Sequence, residues 1–190
     1  MSILNKFLKK SSKGFTLVEL LVVIAIIGIL ATLLLLQLGT ARGKARDAKR
    51  VSDLNQVASA LELFYDDYGY YPRGGNNLSA APPTGLSKYM KLLPLDPSTV
   101  GCTNTYSGNN GSTGGCYGYA TSSGATPIKY HIWTRMEQFN KGALENDLNF
   151  NSTGWDGAPI NATTVETTAT CNGDITTANS SCIYDVGQTD

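Results

Sequence analysis

The 190-residue sequence predicts an α+β fold: one long N-terminal helix, whose first half spans a membrane, packed on a small antiparallel β-sheet. Three observations carry this expectation. An apolar run extends from Phe15 to Leu38, interrupted by one carboxylate, Glu19. A stripe of small and apolar residues then continues in steps of three and four to Tyr68, with no proline between residues 15 and 71. Beyond it come short alternating segments set in Gly-, Ser-, Thr- and Asn-rich chain, the pattern of short strands and turns.

The apolar run sets the first element. At about 1.5 Å per residue, Phe15 to Leu38 makes a helix of roughly 36 Å, enough for a hydrocarbon core of about 30 Å. Gly39-Thr40-Ala41 imitates a signal-peptidase site, but the run before it is longer than the core of a secretory signal, so a retained anchor is expected. Charge agrees. Residues 1–14 carry four lysines and no acid, and residues 42–50, RGKARDAKR, carry Arg42, Lys44, Arg46, Lys49 and Arg50 against Asp47 alone. From Val51 onward the net charge is minus seven, although the whole chain is neutral. A basic head, an apolar run, a basic collar and an acidic remainder fit a membrane surface better than a nucleic acid. The collar residues either face lipid headgroups or pair with acids on neighbouring molecules.

The second half of the helix, residues 39–68, should bury Ala41, Ala45, Ala48, Val51, Leu54, Val57 or Ala58, Leu61, Phe64 or Tyr65, and Tyr68. Gly69 stands where a C-terminal cap is needed, with Pro72 just beyond. The sequence offers a short helix at Leu86–Leu93, the turn PLDP at 94–97, and strands at Tyr117–Thr121 and Ile128–Thr134 joined through Ser122–Thr126. Residues 135–148 read as a short helix or a loop, and Cys182–Val186 as a last strand. Residues 69–190 hold too few apolar side chains for a core of their own. The helix stripe must therefore form the other wall of the sheet.

Four cysteines, Cys102, Cys116, Cys171 and Cys182, lie in this thin region. Their spacings lack the close pairs of a structural zinc site, and His131 is the chain's one histidine. Of three possible pairings the local one, Cys102–Cys116 with Cys171–Cys182, is expected. Disulfides imply an oxidising compartment, which puts residues 69–190 outside the cytoplasm and the lysine head inside.

A carboxylate at lipid depth is costly unless it is partnered or reaches water. The context of Glu19, K-G-F-T-L-V-E-L at 13–20 after a short basic head, resembles the processing site of type IV prepilins and the related type II secretion pseudopilins. The resemblance is close from residue 6 to about 68 and holds in outline beyond. It implies that residues 1–14 are a cytoplasmic leader, cut after Gly14 by a prepilin peptidase that methylates the new amino terminus at Phe15. It implies too that Glu19 pairs with the Phe15 amine of a neighbouring subunit, so that a buried carboxylate meets a buried cation. The chain would then polymerise through residues 15–38 into a type IV pilus-like helical filament, with the inner-membrane assembly machinery and related subunits as partners. Family helices commonly carry a proline near the site of Leu36. DDYGYYP and LLPLDP look like the major pseudopilins of type II secretion, whereas Cys171–Cys182 looks like the loop closing a type IV pilin head. Pseudopilins of the major type often bind calcium, for which Asp156, Asp174 and Asp185 are the available acids, although they form no EF-hand-like cluster.

Two other classes stand beside this reading. For an enzyme, His131 would need a nucleophile or metal motif, and PIKYHIWT instead places it on the more polar strand face beside Lys129 and Trp133. The glycine-rich GNNGSTGG at 108–115 follows no strand and opens no helix. A non-polymerising, single-span binding domain would explain the anchor and the cysteines, but not Gly14, Phe15 and Glu19 at their positions.

Overall fold

A computed structural model describes residues 14–74, 78, 82–98, 117–145, 147–157, 160, 162, 171 and 182–189. Its longest element is helix α1, Leu17–Tyr68, which the expected apolar run and stripe both enter. Further along lie β1 (Gly118–Thr121), β2 (Tyr130–Arg135), the single-turn α2 (Lys141–Leu144), β3 (Asp156–Gly157) and β4 (Ile183–Gln188). The chain divides into two compact units, one ending at Thr40 and the other Ala41–Asp190.

In the first unit Phe15, at 78 %, and the large apolar side chains that follow it in α1, down to Leu38 at 44 %, stand exposed. Burial of each such side chain stabilises by about 1.5–3 kcal/mol. A row of them around a whole helix is a surface for lipid or for other helices. By length and composition this stretch is able to cross a membrane.

The second unit is built on a four-stranded antiparallel sheet of order β3-β1-β2-β4. The expected hairpin forms, and in it β1 and β2 pair Gly118 with Trp133 and Thr121 with Tyr130. Gly118 is required there, because a Cβ would lie 2.2 Å from the Trp133 indole. Leu54, Val57, Leu61 and Phe64 of α1 are fully buried, in one core with Tyr119, Tyr130 and Ile132 of the sheet and Leu78, Leu86 and Leu93 of the connecting chain. The helix does supply the second wall. It ends as expected, with Gly69 at φ 73° donating its N–H to Tyr65 O at 2.7 Å.

Several expectations need correction. Ala41, Ala45, Ala48 and Tyr68 are exposed. The buried line of α1 runs instead through Gly43, Asp47, Arg50, Leu54, Val57, Leu61 and Phe64, and its first turns are polar. Apolar periodicity missed those turns because their buried charges neutralise one another. Leu86–Leu93 forms a single turn, closed by Met90 N–H to Leu86 O at 2.8 Å, and not a helix. Ile128 precedes β2 and is 55 % exposed, so it does not join Tyr130 and Ile132 on the core face. The opposite face is not polar surface either. Trp133 and Ile183 pack there with Ala162.

Candidate functional site

The tip of α1 is the first candidate. Gly14, Phe15 and Thr16 precede the helix and are exposed. Thr16 occupies the N-cap position and Glu19 the third helical position. Glu19 N–H donates to Thr16 Oγ1 at 3.2 Å, and Thr16 N–H donates back to Glu19 Oε2 at 2.9 Å. The Thr16 hydroxyl donates to the same Oε2 at 2.7 Å. This reciprocal pair is a capping box, whose Thr-x-x-Glu signature is legible in TLVE. Glu19 therefore satisfies an orphan amide at the start of its own helix. Both bonds that its carboxylate accepts fall on Oε2, which leaves Oε1 able to accept a donor from another molecule.

The basic collar separates into two groups. Arg42 and Lys44 are exposed, and neither has an ion-pair partner among the described residues. Arg50 is wholly buried, contrary to its expected place facing headgroups. Its Nε and Nη2 donate to Asp96 Oδ2 and Oδ1 at 2.8 and 3.0 Å, a two-pronged match of guanidinium to carboxylate. Its Nη1 donates to Asp47 Oδ1 at 2.7 Å and to Glu137 Oε1 at 2.8 Å. Asp47 accepts the N–H groups of Glu137 and Gln138 as well, at 2.9 and 2.8 Å. Arg46 also pairs with Glu137, through Nε at 2.7 Å and through Nη2. Lys49 pairs with Asp53, which accepts the Tyr117 hydroxyl at 2.6 Å. One helical stretch thus holds the 94–98 loop and the segment that follows β2.

The electrostatics follow this geometry. Burial by itself disfavours the Arg50 cation, but Asp96, Glu137 and Asp47 outweigh it and raise its pKa. Burial holds the Asp47 carboxyl above the usual carboxylate range despite its donors. For Glu137 burial acts in the same sense, but Arg46 and Arg50 overcome it and the net direction is down. Sequence reasoning missed Asp96, which it took for part of a turn, and Glu137, because the contacts join residues some 46 to 91 positions apart.

His131 is fully buried, not on an open polar face. Its Nε2 lies 2.8 Å from Asp185 Oδ2 and its Nδ1 2.8 Å from Ser152 Oγ. These are the residue types of a hydrolytic relay, brought together by the fold. Yet Ser152 is itself fully buried, and its Oγ accepts Ile160 N–H at 3.0 Å and reaches Ile160 O at 3.1 Å. Asp185 also accepts the N–H groups of Asn149 and Phe150. A nucleophile must meet its substrate, and this hydroxyl is sealed. The cluster clamps residues 149–152 and Ile160 over the outer face of β2 and β4.

Of the other expected residues, Cys171 and Cys182 are joined, with an S–S distance of 1.94 Å. Cys102 and Cys116 lie outside the described residues, as does Asp174. Asp156 pairs with Arg73 at 3.3 Å and Asp185 serves the clamp, so these two suggested calcium ligands are already engaged. Among the described residues no three His, Cys, Asp or Glu side chains group as a metal site would need.

Comparison with known proteins agrees with the helix tip. Residues 9–35 match the family model of the prokaryotic N-terminal methylation motif. The type II secretion system core protein G of Klebsiella michiganensis is 37 % identical over 99 residues, covering 47 % of this chain and 70 % of that protein. The Escherichia coli (strain K12) protein of the same name is 37 % identical over 95 residues, 45 % of this chain and 66 % of its own length. A type IV major pilin protein PilE1 of Neisseria gonorrhoeae is 38 % identical over 131 residues, covering 66 % of this chain and 70 % of that pilin. No solved structure matches. With the methylation motif at the helix tip and relatives of both kinds aligned over most of their lengths, the chain belongs to the type IV pilin and type II secretion pseudopilin family of prepilin-type filament subunits.

Proposed function

We infer that the chain is a structural subunit of a type IV pilus-like filament, matured by cleavage after Gly14 and methylation of the Phe15 amine. The observation that carries this reading is the exposed Gly14–Phe15–Thr16 tip, followed at once by a capped helix bearing Glu19. In the mature chain Glu19 Oε2 keeps the cap while Oε1 receives the Phe15 amine of a neighbour, so one carboxylate serves both bonds. Residues 15–38 first span the cytoplasmic membrane once, with residues 69–190 outside the cytoplasm, and then enter the filament core. The disulfide Cys171–Cys182 supports that orientation. Arg42 and Lys44 face the headgroups while the subunit awaits the assembly machinery. The pilus form of the reading is supported by the greater reach of the pilin likeness along this chain, 66 % against 47 %, and by the disulfide-closed C-terminal segment. A second reading, a G-like pseudopilin serving secretion, is favoured by the LLPLDP loop and the secretion relatives.

The test is intact mass and N-terminal sequencing of the protein from its native membrane, together with a Glu19→Ala variant. A chain beginning at methylated Phe15, and a variant that remains in the membrane without entering filaments, are expected. A chain retaining Met1, or a variant that assembles normally, would overturn the reading.

A further inference from the structure

The charges of α1 between Ala41 and Tyr68 are mostly spent within the subunit. Arg46, Asp47, Lys49, Arg50 and Asp53 belong to the buried network, and Asp67 pairs with Lys88. What remains on the exposed side is sorted by sign. Lys44, at the near end, has no partner among the described residues, and neither does Asp66 at the far end. Glu62, one turn before Asp66, is exposed and, among the described residues, accepts tyrosine hydroxyls, from Tyr71 at 3.2 Å and from Tyr130. Lys44 and Glu62 lie about five turns apart, close to the same line along the helix, and about 27 Å from each other; for Lys44 and Asp66 the separation is about 33 Å. Ala48, Ser52, Asn55 and Ser59 stand exposed between them and carry no charge.

We propose that this exposed face docks a second copy of the chain, displaced along the helix by about five to six turns (~27–33 Å), so that Lys44 of one copy meets Glu62 and Asp66 of the next. The inference rests on the filament reading, which supplies the second copy and its orientation. Copies anchored in one membrane are parallel, and parallel copies without displacement would set like charges side by side. A displacement of this size pairs opposite charges. It also leaves a free Lys44 on one copy and a free acidic end on the other, which is a head-to-tail contact that repeats without closing. One exposed ion pair is weak. Repeated in every subunit, it selects the register.

The test is carbodiimide coupling of filaments sheared from cells that express the full chain, read by gel and by mass spectrometry of the linked peptides. Lys44 joined to Glu62 or Asp66 is expected, and the roughly 27 Å between them along one helix means that such a link joins two copies. A ladder of trimers and longer species is expected with it. Lys44→Glu and Asp66→Lys should each lower filament yield about fivefold, the upper end for an exposed pair, and the double variant should restore it. Filaments that form but yield no such link, a link confined to dimers, or no rescue in the double variant would overturn the proposal and leave the filament reading standing. An absence of filaments from the unaltered chain would overturn both.

Discussion

Arg50 shows how far one residue departs from its composition. Read in RGKARDAKR it is one of five cations beside a membrane; in the fold it is the buried centre of three carboxylates. Removing one partner from a buried ion network leaves the others charged without compensation, which costs about 3–5 kcal/mol. Arg50→Ala should therefore lower the unfolding free energy of the detergent-solubilised chain by that amount, whereas Arg42→Ala, at an exposed position, should change it by less than about 0.5 kcal/mol. Equal effects would mean that the network does not hold the 94–98 loop. Glu19 is the complementary case. Its cap is present in four letters, TLVE, because the capping box needs nothing but local geometry. His131 was legible only as a histidine on a strand. Ser152 and Asp185, 21 and 54 positions away, give it its role as a clamp.

At the scale of elements, strands and helix ends were readable where one local rule governs them. The β1–β2 hairpin follows from two short strand-forming runs around the Ser122–Thr126 connection, and the end of α1 follows from Gly69 with a positive φ. The expected helix at Leu86–Leu93 failed because its apolar residues serve different surroundings: Leu86 and Leu93 are buried while Leu92 is 83 % exposed. Strand β4 is tied at its start, where Cys182, just before Ile183, is bonded to Cys171. Closing a loop of this length contributes about 3 kcal/mol in the chain-entropy model. Replacing both cysteines with alanine should lower stability by about that amount, measured by thermal unfolding under oxidising conditions, and reduction of the unaltered chain should lower it too. A variant as stable as the original would show that β4 is held by its ladder to β2 alone.

For the whole molecule, two carboxyls of opposite tendency, Glu137 and Asp47, contribute to the dependence of stability on acid. The folded-state pKa of Glu137 is depressed from 4.5, because Arg46 and Arg50 outweigh the effect of burial. Its contribution is present above the unfolded value and is lost as pH falls through the lower folded value. Asp47 is raised from 3.8 by burial, so its contribution is present at low pH and declines as pH rises through the folded value. Below about pH 4.5 the two oppose one another. Glu137→Gln should remove the acid-side loss and leave a shallower fall in stability on acidification than in the unaltered chain, followed by circular dichroism in detergent. A steeper fall would assign the acid sensitivity to other groups.

The sequence by itself determined the long helix, its apolar and amphipathic halves, the hairpin, and the Gly14–Phe15–Glu19 tip. Each is written in neighbouring residues or in a fixed period, and so is governed by backbone geometry and local hydrophobic patterning. Long-range packing instead settled which side of α1 is buried between Gly43 and Arg50, that Asp96 and Glu137 enclose Arg50, and that Ser152 and Asp185 enclose His131. The reason is the cost of burying charge. A charged side chain enters a core only where distant residues compensate it, and no local pattern records which residues those will be.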